Sequence, residues 1–211
     1  MDGVRALSVV ICGAPRRART PWTHGPGVAR GRWAMLAHDA VGANGRRRQD
    51  ATNAGRTTVL TIDLRGGGSF ELDHLVLDIN GTLTDHGTLV EGVAERLGLL
   101  ADVLEIHLLT ADTFGTAEGL ARRLGAAITT IVDGSEKAER VVGLGADRVV
   151  AIGNGRNDEA MLRAARLAIV VIGTEGAATA TLLAADVVCT SVTDALDLLL
   201  DERAITATLR P

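Results

Sequence analysis

The chain has 211 residues, of which 46% are hydrophobic and 23% charged, and its net charge is −4. This composition is typical of a globular protein and argues against a disordered one. No apolar run approaches the roughly 20 residues of a membrane-spanning helix, so we expect a soluble, cytoplasmic protein with no membrane partner.

Residues 1–56 differ in composition from the rest of the chain. They hold ten Arg and three Asp, a net charge of +7, whereas the remainder carries −11. Gly and Pro recur throughout them, and no stretch has the periodicity of a helix or strand. We expect an unstructured Arg/Gly-rich leader over 1–56 and one folded domain over 57–211. The arginines do not alternate with aromatic residues, so nucleic acid is not an expected partner.

From residue 57 onward, apolar segments alternate with amphipathic ones. TTVLTIDL, GGG and SFELDHLVLDI predict a β-hairpin that leads into a buried strand. Five further apolar runs, each followed by a helical pattern, cover 104–110, 128–132, 147–153, 167–173 and 186–190. Strands that are apolar almost throughout are typical of a sheet covered on both faces. The predicted fold class is therefore α/β: a doubly wound, Rossmann-like parallel sheet with an N-terminal β-hairpin.

Polar residues stand where these strands end, and ligands of such sheets bind at that edge. A buried aspartate needs a compensating charge, which the only lysine of the chain and a cation would supply. Oxygen ligands favour Mg²⁺ over a transition metal. The candidate groups are Asp78, the backbone carbonyl of Asn80, Thr110, Lys137, the side-chain oxygen of Asn154, and Asp158.

Histidine and cysteine show no pattern of metal ligands. The five histidines include no HxxxH or similar spacing, and the two cysteines lie far apart. We therefore expect no histidine-based metal site.

The order of the polar motifs resembles that of the haloacid dehalogenase-like (HAD) superfamily. The matching segments are DINGTLT (78–84), Thr110, Lys137 and GNGRNDEAML (153–162), within residues 57–211. LTADTFGTA (109–117) and AIGNGRND (151–158) are similar to the soluble P-type ATPase-like members. The resemblance implies that Asp78 forms an aspartyl phosphate, Thr110 orients a phosphoryl oxygen and Lys137 neutralises charge. It also implies that Asp78, Asn80, Asn154 and Asp158 hold Mg²⁺.

Two asparagines depart from the pattern of the superfamily. Asn80 stands where its phosphatases have an aspartate that serves as general acid and base, a contribution commonly worth about 10²–10⁴-fold. Asn154 replaces a second usual aspartate and lowers the ligand charge of the Mg²⁺ site. We therefore expect slow hydrolysis.

The segment that follows Asp78 and the segment that precedes Lys137 are also too short for the cap domain that phosphatases of this superfamily often carry. The site should then be open, unless a second copy of the chain covers it. An open site suits a phosphorylated small molecule or a phosphoprotein.

Two other functions stay open. The first is a non-catalytic phosphate- or nucleotide-binding regulatory protein, which both asparagines favour. The second is a dinucleotide-binding oxidoreductase, which ranks lower because GNGRND lacks the third glycine of that fingerprint.

Overall fold

The computed structural model describes residues 59–64, 68–111, 117–124 and 128–210. The predicted leader and its boundary at residue 57 lie outside these ranges. In the described part of the chain, no helix is long and apolar enough to cross a membrane.

Strands and helices alternate along the described residues. The strands are β1 (Leu60–Asp63), β2 (Ser69–Leu72), β3 (His74–Asp78), β4 (Thr84–Asp85), β5 (Thr88–Leu89), β6 (Glu105–Thr110), β7 (Ile128–Thr130), β8 (Val149–Gly153), β9 (Leu167–Val171) and β10 (Val187–Cys189). The helices are α1 (Val93–Leu100), α2 (Ala117–Leu124), α3 (Gly134–Gly143), α4 (Glu159–Ala164), α5 (Thr179–Leu182), α6 (Val192–Leu200) and α7 (Glu202–Leu209), with 3-10 turns at Ala146–Arg148 and Arg156–Asp158.

The central sheet has six strands in the order β10-β9-β8-β3-β6-β7, and every neighbouring pair is parallel. The predicted doubly wound α/β fold is thereby confirmed. Successive strands add outward from β3 on one side and from β8 on the other. The order therefore reverses between β3 and β8, and at such a switch point the loops diverge and leave room for a ligand.

Each face of the sheet packs against its own set of apolar side chains, because successive residues of a strand point to opposite faces. Leu75 and Leu77 of β3 belong to a cluster that includes residues of α1, α6 and α7. Val76, on the other face, belongs to a cluster with residues of α3 and α4. Covering on both faces explains why the strands are apolar throughout.

The predicted N-terminal hairpin is present as the antiparallel pair β1–β2. It is separated from β3 at Asp73, where the predicted continuous strand is interrupted. The Asp73 backbone N–H donates to the Arg148 carbonyl at 2.9 Å, and the Asp73 carboxylate accepts from the Arg148 guanidinium, with Nη2 at 2.7 Å from Oδ1. This ion pair ties the hairpin to the start of β8.

Between β3 and α1 lies the small antiparallel hairpin β4–β5. The connection contains no domain-sized insertion, as predicted. Its turn includes His86, whose φ is 47°. A short hydrogen-bonded hairpin of this kind can lie beside the end of the sheet but cannot form a cap with its own core.

The C-terminal segment forms two helices separated at Asp201. Helix α6 ends at Leu200, and Asp201 adopts an extended backbone with φ −112° and ψ 93°. The Asp201 carboxylate then accepts hydrogen bonds from the N–H groups of Arg203 and Ala204 and caps α7. An aspartate that satisfies the first amides of a new helix stops the old one.

Candidate active site

The turn after β3 folds back on the strand end and places a hydroxyl beside Asp78. The N–H groups of Thr82, Leu83 and Thr84 all donate to the Ile79 carbonyl, at 3.2, 2.9 and 3.0 Å. Gly81 has a φ of 75°, a conformation that residues with a side chain rarely adopt. As a result, the Thr82 hydroxyl Oγ1 lies 3.2 Å from Asp78 Oδ2.

Lys137 bridges two carboxylates in the interior. Its Nζ lies 2.5 Å from Asp78 Oδ1 and 2.6 Å from Asp158 Oδ1, and its side chain is fully buried. Helix α3 holds it there through an N-cap, in which the Asp133 carboxylate accepts from the N–H groups of Ser135 and Glu136. A compact ammonium can meet two carboxylates at once in so small a space, whereas a guanidinium is larger and donates in a fixed fork.

Close backbone packing positions Asp158, the second carboxylate that contacts Lys137. A Cβ on Gly134 would lie 2.4 Å from the Asn157 carbonyl, and one on Gly153 would lie 2.6 Å from the Asp158 carboxyl carbon. Asp158 Oδ2 accepts from the backbone N–H groups of Asn154 and Gly155, at 3.0 and 2.9 Å. Both oxygens of Asp158 are therefore engaged, one by Lys137 and one by the loop.

The charges of this buried cluster do not cancel, since two carboxylates face one ammonium. Burial first, and then the charge of Asp158, raise the pKa of Asp78 to about 7 although Lys137 acts in the opposite direction. Burial alone would lower the pKa of Lys137, but the two carboxylates raise it above its ordinary value. The lysine is thus charged at neutral pH, and the cluster attracts a proton or another cation.

The second oxygen of Asp78 faces the predicted ligand Asn154. Thr82 Oγ1 lies 3.2 Å from Asp78 Oδ2 and 3.1 Å from Asn154 Oδ1, yet one hydroxyl has a single hydrogen to donate. The orientation of the Asn154 amide follows from its Nδ2, which donates to the Gly176 carbonyl at 3.0 Å. A proton on Asp78 would complete this network, and so would a cation between the two oxygens.

A carboxylate and an amide oxygen that both lie beside the Thr82 hydroxyl fit Mg²⁺, which prefers oxygen ligands and retains several waters. Asp78 and Asn154 are the predicted ligands that the structure brings together in this way. Asp158 contacts Lys137 and the loop instead. Its role as a ligand, like that of the Asn80 carbonyl, stays a prediction.

Asn80 and Thr110 meet at the ends of β3 and β6. Asn80 Nδ2 donates to Thr110 Oγ1 at 3.3 Å, a long hydrogen bond. The amide thus occupies the place beside the strand end where the resemblance puts a titratable carboxylate. It orients the Thr110 hydroxyl but has no proton to exchange.

Two loops near the cluster are joined to each other. The hairpin β4–β5 is held to the loop after β9 by two hydrogen bonds: Thr174 Oγ1 donates to Asp85 Oδ1 at 2.6 Å, and His86 N–H donates to Glu175 Oε1 at 2.9 Å. Within the cluster, Asp78 is 4% exposed and Asn154 7%. The openness of the site stays a prediction.

Two residues of the site carry no predicted role. Thr82 links Asp78 to Asn154, and Glu175 approaches the turn after β3, since a Cβ on Gly81 would lie 3.0 Å from Glu175 Oε2. Thr82 could have been found from its place four residues after Asp78 in a tight turn. Glu175 follows β9, and no spacing rule connects it to residue 81.

The chain was compared with known proteins first by sequence and then by structure. No protein-family model matches the chain. An uncharacterized protein of Methanocaldococcus jannaschii is 52% identical over 63 residues, which are 30% of this chain and 68% of that protein. The chain belongs to the family of this archaeal protein.

Solved structures show which fold this chain has. A Streptomyces avermitilis protein named as a HAD-family hydrolase superposes with a TM-score of 0.51 and 20% identity, over 62% of this chain and 84% of its own. A Vibrio cholerae protein named as a 3-deoxy-D-manno-octulosonate 8-phosphate phosphatase has a TM-score of 0.52 and 18% identity, over 68% of this chain and 96% of its own. The chain therefore has a HAD-like fold, as its motifs suggested.

Proposed function

We propose that this HAD-like protein is a Mg²⁺-dependent phosphohydrolase that works slowly through an aspartyl phosphate on Asp78. The observation that carries the proposal is the buried Asp78–Lys137–Asp158 cluster at the carboxyl end of β3, beside the switch point of the sheet. A structural carboxylate would be better exposed or fully neutralised. This one keeps an excess of negative charge where a ligand can approach.

The chemistry consists of two displacements at phosphorus. In the first, a carboxylate oxygen of Asp78 forms a bond to phosphorus, and the bond to the oxygen of the leaving group breaks. In the second, a water oxygen attacks phosphorus, the bond to Asp78 breaks, the carboxylate is restored and inorganic phosphate departs. The water proton that this step releases goes to solvent, because Asn80 cannot take it.

The residues around Asp78 have distinct parts in this reaction. Lys137 neutralises the charge that gathers on the carboxylate and the phosphoryl group, and Asp158 keeps the lysine in place. Thr110, oriented by Asn80, donates to a phosphoryl oxygen. Mg²⁺ held by Asp78 and Asn154 would add positive charge at the phosphoryl oxygens.

The absent carboxylate at residue 80 determines the preferred substrates. Without a general acid, the leaving oxygen must depart unprotonated, so acyl phosphates and aryl phosphates should react faster than alkyl ones. The P-type ATPase-like resemblance is consistent with a phosphoenzyme that hydrolyses slowly. The proposed substrates remain a phosphorylated small molecule or a phosphoprotein.

A non-catalytic, phosphate-binding role is the second candidate, and the Asn80–Thr110 hydrogen bond favours it. An amide at that place binds an anion without exchanging a proton with it. Such a protein would bind phosphate and release none from any substrate.

The test is phosphate release from acetyl phosphate and p-nitrophenyl phosphate with Mg²⁺ or EDTA. We expect Mg²⁺-dependent release that Asp78→Asn abolishes and that Asn80→Asp accelerates on the order of 10²-fold, the lower end of general acid–base contributions. Asn157→Asp is the matched control, since it adds the same charge at an exposed position in the loop after β8. Phosphate binding without release in wild type and in Asn80→Asp would establish the second candidate.

A further inference from the structure

A cluster of a different kind lies at the amino-terminal ends of β3 and β6, at the end of the sheet opposite the candidate active site. His74 is the first residue of β3, and Glu105, the first residue of β6, is its partner in the parallel register. His107 follows two residues later on β6, so its side chain leaves the sheet on the same face as that of Glu105. At about 3.3 Å per residue, His74 lies on the order of 13 Å along β3 from Asp78.

Three potential ligand groups converge in this cluster. His74 Nδ1 lies 3.2 Å from His107 Nε2 and 3.4 Å from Glu105 Oε2. The other oxygen of Glu105, Oε1, lies 3.7 Å from His107 Nε2. Zinc bonds to nitrogen and carboxylate oxygen measure about 2.0–2.2 Å, so the edges of a zinc tetrahedron measure about 3.3–3.6 Å. The spacing of the two ring nitrogens lies close to this range, and one ligand atom from each of the three residues lies within 4.8 Å of the other two.

We propose that His74, Glu105 and His107 form a site for Zn²⁺ or a similar borderline divalent cation, separate from the predicted Mg²⁺ site. Two imidazoles and one carboxylate are a ligand set that suits zinc and discriminates against Mg²⁺. The cluster can be reached from solvent at Glu105, whose side chain is 61% exposed. The spacing of the histidines along the chain does not indicate such a site, because parallel pairing brings together residues 33 positions apart.

The ring of His107 is held in place by its surroundings. Its side chain is 8% exposed. One ring nitrogen, Nε2, lies beside His74, and the other, Nδ1, lies beside Arg140. Nε2 is therefore the nitrogen that faces the other two groups of the cluster.

Arg140 is the neighbouring charge that opposes binding. Its Nη2 lies 3.3 Å from His107 Nδ1, so in the metal-free state Nδ1 accepts from the guanidinium and Nε2–H donates to His74 Nδ1. Metal binding at Nε2 moves the ring proton to Nδ1, and Arg140 must then turn away. Arg140 is exposed on α3 and free to reorient toward solvent. We expect Arg140→Gln to bind the metal more tightly, because an amide oxygen can accept from Nδ1–H.

The experiment is a titration of the full chain with Co²⁺, followed by visible absorption, and with Zn²⁺, followed by calorimetry, in excess Mg²⁺. We expect one equivalent bound with the intense bands of four-coordinate Co²⁺, and at least tenfold weaker binding in His74→Gln and His107→Gln. Asp78→Asn, a change at the predicted Mg²⁺ site, should bind Zn²⁺ as wild type does.

The proposal is overturned if wild type and the His74→Gln/His107→Gln double variant bind Zn²⁺ with equal affinity. Every other histidine is present in both proteins, so its contribution to binding is the same in both. Circular dichroism checks that the variants fold. Because His107 is buried, Glu105→Gln provides a variant at an exposed position that should also weaken binding at least tenfold. Unchanged binding in Glu105→Gln together with unchanged binding in His74→Gln would equally refute the site.

Discussion

Removing the buried lysine should destabilise the fold, and by an amount that depends on pH. In Lys137→Met, two carboxylates that now share one ammonium at 2.5 and 2.6 Å face each other without a cation. Breaking a buried ion pair by removing one partner costs about 3–5 kcal/mol, a large part of the roughly 5–15 kcal/mol that stabilises a typical domain.

The pH dependence follows from Asp78, whose pKa in the folded protein is about 7 against an ordinary value of 3.8. Between these values the folded protein holds a proton that the unfolded chain has released. Wild-type stability therefore falls as the pH rises from about 4 to 7. Without Lys137 the pKa of Asp78 rises further, so the cost of Lys137→Met should be larger at pH 8 than at pH 6.

The assay is urea unfolding followed by circular dichroism in EDTA, at pH 8 and pH 6. Arg163→Met is the matched control, because Arg163 forms an exposed pair with Glu159 on α4 that should contribute only about 0.3–0.5 kcal/mol. Adding Asp78→Asn to Lys137→Met should restore part of the stability by removing one buried charge. If Lys137→Met unfolds at the same urea concentration as Arg163→Met at pH 8, the account of the buried cluster is refuted.

Three further changes test other parts of the structure. Gly153→Ala should cost about 1–3 kcal/mol in urea unfolding, because the new Cβ would lie 2.6 Å from the Asp158 carboxyl carbon; wild-type stability would contradict this packing. Asp73→Asn should cost about 1 kcal/mol at pH 7 through its half-buried pair with Arg148. Since that pair lowers the pKa of Asp73, the difference from wild type should shrink as the pH falls below 3.8, and a constant difference would refute the linkage. Asn154→Asp should lower the Mg²⁺ concentration for half-maximal thermal stabilisation on the order of tenfold; an unchanged value would argue against Asn154 as a ligand.

Much of the fold could be predicted because burial on both faces of the sheet gives its inner strands a recognisable apolar pattern. Strands β3, β6, β8 and β9 are covered on both faces, so each appears in the sequence as a short, nearly unbroken apolar run. The ends of these runs then located the polar residues of the candidate site. The roles of those residues remain predictions, but their proximity follows from the parallel sheet.

What escaped prediction depends on pairing and on local hydrogen bonds. The approach of His74 to His107 comes from the register of β3 on β6, which no spacing along the chain reveals. The separation of α6 from α7 at Asp201 depends on hydrogen bonds from two backbone N–H groups of α7 to the Asp201 carboxylate. The contact of β4–β5 with the loop after β9 depends on hydrogen bonds between residues some 90 positions apart.

The central claim, that Asp78 carries the phosphoryl group, is tested most directly by trapping that group. Wild type is incubated with acetyl phosphate and Mg²⁺, quenched in acid and treated with borohydride, which reduces an aspartyl phosphate to homoserine. Peptide mass spectrometry should find homoserine at residue 78, and none there in Asp78→Asn. Phosphate release by wild type with unmodified aspartate at residue 78, under conditions that trap a control phosphoenzyme, would contradict the account.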